Sequence, residues 1–397
     1  RSCDLCIKFE SSRASSQAVG HQQHQDTIDD ISDDEFGRTE CPIAGLLGYK
    51  RCDSCLYKIV GIKPCGARYP SQLLGTRSCL DSPQSCRTNR NKLPMSYHLK
   101  PNEPIDQEVK RIASEQVNKS IAELTDTDLD KHEKVHQFRK RCKKIRGLLR
   151  LVRPALGDTY QVENRWFRDK ASEFSEIRDA EVLLETSQSL RKHAHNEVPS
   201  TYFHQIDALL RERQSVVMDE HEGRLATTLI KLSDELRSAR ERIEDWVLEE
   251  TSFSAIQGGF KKTYQRGCHM LQDVLEVGSD EVWHEWRKRT KYHGYHLRLL
   301  RNLWKPVINA RRDEIDELGE LLGDDHDLAV FEQTLHKYHK QFSNTKIIEK
   351  ITCLCQKRRS QLQQRAIPLG TLIYAEKPKH ICRRLKIYWE VVSKPET

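Results

Sequence analysis

The sequence runs to 397 residues, with 66 Lys and Arg against 59 Asp and Glu and a formal net charge of only +7. Its mean hydropathy is −0.73, and its length suffices for two or three domain-sized units with a sizeable core. No stretch approaches the roughly eighteen consecutive apolar residues of a membrane span. Gly and Pro together make only 31 residues, too few for a turn-rich all-β protein.

Residues 1–100 stand apart from the rest. They hold eight of the thirteen cysteines (Cys3, Cys6, Cys41, Cys52, Cys55, Cys65, Cys79 and Cys86) and an acidic tract from Asp26 to Glu35. Charge without apolar periodicity cannot bury enough surface to offset chain entropy, so a partly disordered, Cys-rich segment is expected here. Cys3-x-x-Cys6 and Cys52-x-x-Cys55 have the spacing of zinc-binding thiolate pairs. The pairs lie too far apart for a usual knuckle, however, and no His pair completes either, so free thiols are the plainer expectation. No basic-then-apolar leader opens the sequence as given, so a reducing, intracellular compartment is expected, either the cytoplasm or, in a eukaryote, the nucleus.

From residue 101 onward the pattern is helical. Apolar residues recur at three- and four-residue spacing, and no proline occurs between Pro199 and Pro306. Helices are expected near 104–122, 127–153, 159–190, 200–246, 252–276, 280–304, 307–322, 325–341, 345–373 and 378–392. The breaks fall at Gly157-Asp158, Pro199-Ser200, Gly278-Ser279 and Gly323-Asp324. In the last of these, Gly323 reads as a left-handed helix stop and Asp324 or Asp325 as the next N-cap. Cys142, Cys268, Cys353, Cys355 and Cys382 read as packing residues of these helices.

Residues 101–397 carry 52 basic and 48 acidic groups, yet the cations are concentrated. Lys134 to Gly157 holds nine Lys and Arg and no acid, and His284 to Arg312 holds nine and one acid, Glu285. Clustered charge on a near-neutral chain points to a local anion site. The two segments also superpose at an offset of 148. His136, Arg139, Lys140, Arg141 and Lys143 match His284, Arg287, Lys288, Arg289 and Lys291. Leu149, Arg150, Leu151, Arg153, Asp179 and Val182 match Leu297, Arg298, Leu299, Arg301, Asp327 and Val330. Such self-similarity predicts a duplicated unit of several helices, with a first half near 104–250 and a second near 251–392.

On a helical wheel each copy separates into two faces. His136, Arg139, Lys140, Lys143, Gly147 and Arg150 share one sector, and Val135, Phe138, Cys142, Ile145, Leu149 and Val152 the other. In the second copy His284, Arg287, Lys288, Lys291, Tyr295 and Arg298 oppose Trp283, Trp286, Leu297, Leu300 and Trp304. A solvated helix gains from mixed charge signs at i,i+4, whereas these stripes hold cations without acids, a local cost incurred twice. Arg offers a planar fork to oxyanions and Lys a compact point charge, a combination suited to a flexible chain of phosphates. Neighbouring cations should disfavour the imidazolium of His136 and His284, and a bound polyanion should reverse that effect.

These residues resemble the conserved-histidine α-helical domain, CHAD, over roughly residues 104–392. The resemblance rests on His136-x-x-Arg139-x-x-x-Lys143-Lys144-x-Arg146, on His284-x-x-Arg287-x-x-x-Lys291, and on Leu322-Gly323-Asp324-Asp325-His326-Asp327-x-x-Val330. Ile177-Arg178-Asp179-x-x-Val182 looks like the first-half counterpart of the last, and Lys377-Pro378-Lys379 with Arg383-Arg384-Leu385 looks like the family's ending. The resemblance implies an all-α fold of two tandem, pseudo-symmetric four-helix bundles around a basic central channel that binds inorganic polyphosphate. It implies a binding module rather than an enzyme, standing alone or fused to modules such as triphosphate-processing enzymes.

Two departures stand out. Lys143 and Lys144 stand where the family's first copy usually prefers Arg, and Gly294 stands at the position matching Arg146. Carried over residue by residue, the binding candidates are His136, Arg139, Lys140, Lys143, Lys144, Arg146, His284, Arg287, Lys288 and Lys291. Arg165, Arg168, Lys262, Arg266, Arg298, Lys377, Arg383 and Arg384 form a second tier in basic patches outside the duplicated stripe.

Other readings carry less. His326-Asp327 suggests a metal-dependent phosphohydrolase, but the first copy has Arg178 where His326 stands, so no metal is expected there. Phosphate-loop and nucleophile-elbow motifs are missing, so neither catalysis nor a cofactor is expected. A nucleic-acid-binding protein is the alternative. Against it, Trp283, Trp286 and Trp304 fall on the face expected to be buried, away from the cations where base stacking would need them. An accessory module of a triphosphate- or polyphosphate-processing enzyme is a further alternative.

Overall fold

The structure is a computed structural model that describes residues 97–194, 197–342 and 345–394, all within the compact unit Thr76–Thr397. The cysteine pairs and the acidic tract of the first hundred residues lie outside these. Among the described residues ten α-helices follow one another: α1 Ile105–Thr125, α2 Lys131–Leu151, α3 Asp158–Ser172, α4 Ser175–His193, α5 Ser200–Glu244, α6 Ser254–Glu276, α7 Asp280–Leu300, α8 Lys305–Lys337, α9 Thr345–Ile373 and α10 Pro378–Val392. Among the described residues there is no strand. The fold is all-α.

Local chemistry sets several helix ends. The Asp130 carboxylate accepts the Glu133 N–H at 2.8 Å to start α2, and the Ser279 hydroxyl accepts the Val282 N–H to start α7. Gly157 and Gly278 take positive φ, +52° and +65°, where a side chain would be strained, and turn the chain into α3 and towards α7. Tyr97 and Leu99 pack into the helical core, with the Leu99 N–H donating to the Leu299 carbonyl at 2.8 Å.

Two helix boundaries differ from those expected. The stretch 159–190 is two helices, parted at Glu173-Phe174, where Phe174 turns inward and packs edge-on against Phe138 with ring centroids 5.6 Å apart. Conversely, 307–322 and 325–341 merge into the single helix α8, and Gly323 and Asp324 lie in its interior. Gly323 is therefore not a helix stop. A Cβ there would stand 3.7 Å from Arg287 Nε, an ordinary contact distance to a side chain of α7. Asp325 is not an N-cap either: it is buried and accepts from Arg359 Nε at 3.1 Å and Gln363 Nε2 at 2.9 Å.

Within the chain's first part, α1 packs on α2 and α5, α2 on α3, and α4 on α5. Within its second part, α6, α7, α8 and α9 pack in succession, and α10 lies on α6. The parts meet where α2 contacts α6 and α7 and where α4 contacts α8. Gly259 marks the first of these crossings, since a Cβ on it would fall 2.1 Å from the Leu151 carbonyl oxygen. The apolar faces of α2 and α7 are the buried ones: Val135, Phe138, Cys142, Ile145, Leu149 and Val152, and Trp283, Trp286, Leu297 and Leu300. Trp304 breaks the pattern. It is 50% exposed in the short turn after α7, its ring edge-on to Tyr388 of α10. Cys353 is likewise exposed, whereas Cys142, Cys268, Cys355 and Cys382 are buried.

Candidate anion-binding site

Because α2 and α7 touch and both bury their apolar faces, their basic stripes are left at the junction of the two parts. Lys143 on α2 reports the result most directly. Its ammonium is pushed down to about 8, first by burial and then by Arg139 on its own helix, Arg287 and Lys291 on α7, and Arg178 on α4. Lys291 is lowered in the same way, by burial and by Arg287, with Asp316 and Glu320 on α8 opposing the shift. Both lysines remain solvent-accessible while protein atoms crowd them. Among the described residues neither is ion-paired to a carboxylate.

The arginines are held around them. Arg139 donates to the Ala171 carbonyl at 2.6 Å, at the end of α3, and burial lowers it against the opposing charge of Asp179. Arg287 has a buried Nε without a hydrogen-bond partner, and its side chain crosses Gly323. Lys291 crosses Gly319 one turn earlier, its Nζ 3.2 Å from where a Cβ would stand. Asp179 and Asp327 lie beside these cations. Burial raises both carboxyls, Arg139, Lys143 and Arg178 opposing the shift at Asp179, Arg287 and Arg178 at Asp327.

The histidines differ between the copies. His136 is lowered by burial, by Arg178 and by Lys140 and Lys143, with Glu133 opposing. His284 has its Nδ1 3.1 Å from the Nδ1 of His326, the rings 4.1 Å apart. Burial, then Lys288 and Arg287, pushes His284 down to about 3, and burial, then His284, Arg287 and Lys288, pushes His326 down to about 3.

The remaining candidates are placed otherwise. Lys140 is exposed, and Lys144 lies over the Tyr97 ring, 5.5 Å from its centroid, with its ammonium pushed down to about 8 by burial, Arg141 and Lys140. Arg146 donates to Asn164 Oδ1 at 3.2 Å, Lys288 pairs with Glu285 at 2.5 Å, and Arg298 pairs with Asp316 at 2.9 Å. In the second tier, Arg165, Lys377 and Arg383 are exposed and Lys262 and Arg266 half-buried on α6. Arg168 pairs with Asp169 at 2.8 Å and Arg384 with Glu376 at 2.6 Å. The duplicated pair Arg141 and Arg289 serves ion pairs, with Glu123 and Glu285 respectively.

Arg178 and His326 reach this cluster without having been singled out as binding residues. The available signal was their own correspondence: they stand at the same offset of 148 as the stripes. Among the described residues no group of three or more His, Cys, Asp or Glu side chains is arranged to hold a metal ion. His326 faces His284, and Asp325 faces Arg359 and Gln363.

The CHAD domain model matches residues 111–336, more than half of the sequence. The chain belongs to the CHAD domain family. The matched stretch runs from α1 through nearly all of α8 and so contains both basic stripes, whereas α9 and α10 lie beyond it. CHAD domains are linked to polyphosphate- and triphosphate-related proteins and are typically binding modules. No curated protein matches the chain. No described helix is long and apolar enough to cross a membrane.

Proposed function

We propose that this CHAD domain binds inorganic polyphosphate without turning it over, where the stripes of α2 and α7 meet. The observation that carries the reading is the mutual field of Arg139, Lys143, Arg287 and Lys291, contributed by two helices. Asp179 and Asp327 lie beside these cations and offset part of their repulsion, and an anion joining Lys143 and Lys291, which have no ion pair of their own among the described residues, would relieve the remainder. The duplicated halves, near 104–250 and 251–392, would each supply one wall. A polyphosphate carries about one charge per phosphate and no bases, so it asks for Lys and Arg along a track and not for stacking platforms. Trp304 is exposed and could stack, but it stands beside Tyr388 on α10, not among these cations. By analogy with nucleic acids, contacts of this kind release counterions, and affinity should fall steeply with salt.

The test is calorimetric titration of the full chain with long-chain polyphosphate and, separately, with single-stranded DNA of equal charge. The same titrations are run on the R139A/K143A/R287A/K291A variant. Tight polyphosphate binding, weak DNA binding and loss in the variant support the reading. Equal binding of both polymers would replace it with a nucleic-acid-binding surface. Phosphate release on adding Mg²⁺ or Mn²⁺ would replace it with an enzyme or an enzyme's accessory module; none is expected.

A further inference from the structure

The two halves of the cation cluster are not chemically equal. At the offset of 148, His136 corresponds to His284 and Arg178 to His326. In the first half, the imidazole of His136 lies in the field of a permanent cation, Arg178. In the second, the equivalent place is taken by a second imidazole, with Nδ1 of His284 and Nδ1 of His326 3.1 Å apart.

Two ring nitrogens at that distance require one N–H and one lone pair between them. In the neutral pair, one ring donates through Nδ1–H and keeps a lone pair on Nε2, while the other accepts at Nδ1 and carries its hydrogen on Nε2. An added proton goes to the free Nε2 of the donating ring. The bond between the rings is kept and becomes charge-assisted. A second proton would set N–H against N–H and break the bond. The pair therefore has room for one proton.

We propose that His326 is an anion-binding residue that works with His284 as a single unit. The unit is neutral in the free protein and takes up one proton as a polyanion enters, whereas its first-half counterpart Arg178 is permanently charged and already paired with Glu181 at 2.6 Å and Glu185 at 3.0 Å. This inference rests on the polyphosphate reading. Both rings are half-buried, within reach of solvent and ligand.

The surroundings account for the neutral resting state. On α7 the pair faces Arg287 and Lys288 and, at the start of that helix, Asp280. On α8, Asp327 follows His326 and lies in the field of Arg287, Asp324 and, from α4, Arg178 and Glu185. On α9, Arg359 is engaged by Asp280 and Asp325. Burial and the nearer cations outweigh the one carboxylate acting on His326, and both rings are held well below an ordinary histidine. An anionic chain laid across Arg287 and Lys288 removes that opposition.

The experiment is calorimetric titration of the full chain with long-chain polyphosphate between pH 7.5 and 5.5. Buffers of different ionisation enthalpy are used, so that the protons taken up on binding are counted. Wild type is compared with H326R, which installs the first-half residue, and with H326Q, which leaves His284 a hydrogen-bond partner that cannot be protonated. Circular dichroism verifies that each variant is folded, and H326Q serves if H326R is not. Contributions from His136 and from the polymer's own end groups are common to all three proteins and cancel in the comparison.

Near pH 6, wild type is expected to take up about one proton more than either variant. Its affinity should rise by up to tenfold per pH unit on acidification relative to theirs, one proton's worth of linkage. H326R should bind at pH 7.5 more tightly than wild type does. If wild type binds but both variants take up as many protons as it does, this inference fails and the polyphosphate reading stands. If wild type binds no polyphosphate at any pH, both fail.

Discussion

Lys291 of α7 runs across Gly319 of α8, its Nζ 3.2 Å from the position a Cβ on that glycine would occupy. The glycine sits inside a helix, where Ala is favoured over Gly by about 0.5–1 kcal/mol. The atom in the way is the far end of a flexible side chain and can move aside. G319A is therefore expected to raise the melting temperature by about 1–2 °C while weakening polyphosphate binding severalfold. Thermal unfolding and titration of the same sample check the two opposite signs; a variant that loses both stability and binding would show that Gly319 serves packing alone.

Gly259 makes a sharper demand. A Cβ there would lie 2.1 Å from the Leu151 carbonyl oxygen and 2.3 Å from that of Arg150, backbone atoms that cannot rotate away. G259A should destabilise the fold by about 3 kcal/mol, the upper end of ordinary overpacking, because α6 must retreat from the end of α2. Urea unfolding measures this, and an unchanged midpoint would mean that the two helices do not approach so closely in solution.

Alkaline pH should weaken anion binding. The Lys143 and Lys144 ammoniums are held down to about 8 in the free protein, and a polyanion raises them towards their ordinary value. Above pH 8 binding must then be accompanied by proton uptake, so affinity falls as pH rises through 8 to 10. Stability has the opposite sign in this range. The unfolded chain binds more protons at these lysines, so the unliganded fold gains stability with rising pH. Titrations and unfolding curves at pH 7, 8, 9 and 10 test both slopes.

Acid should weaken the unliganded fold. His296 is fully buried, its Nε2 against the Gly147 carbonyl at 3.1 Å, and is held down to about 3. His293 is fully buried against Phe260, Tyr264 and Tyr374 and is lowered well below its ordinary value. These rings, with His284 and His326, stay neutral when folded and charge when unfolded. The unfolded state therefore binds more protons between about pH 6.5 and 3, and stability is lost as pH falls through that window. A melting temperature that holds steady from pH 7 to pH 5 would contradict this.

Asp325 offers a test of the metal reading. It is buried and paired with Arg359, so D325A should cost about 3 kcal/mol by leaving a buried guanidinium short of a partner. Treatment with a chelator should leave the wild-type melting temperature unchanged. A drop on chelation would mean that Asp325 and His326 hold an ion after all.

The helical class was legible because the periodicity and caps are local properties; Asp130 and Ser279 sit where a sequence pattern can see them. The cluster was half legible. The offset of 148 aligned Arg139 and Lys143 with Arg287 and Lys291, but nothing local said that Arg178 of α4 would reach them. Gly323 was misread for a related reason. A glycine followed by two aspartates is a stop signal when only neighbours in sequence count, whereas α8 runs on through it, packed along its length against α7 and α9. Phe174 parts α3 from α4 by a contact with Phe138, and Trp304 stays exposed because the chain leaves α7 just before it. Both are tertiary facts.

Gly147 of α2 lies under Tyr295 of α7, with the tyrosine Cβ 2.9 Å from where a glycine Cβ would stand. These two residues occupy the same place in the offset of 148. A hollow in one half thus receives a knob from its equivalent in the other. Two copies of the first half brought together the same way would face hollow to hollow, and two copies of the second would collide knob to knob. The contact of α2 with α7 at this point is therefore made between unlike residues, a hollow and a knob, although the two stand at equivalent places in the offset.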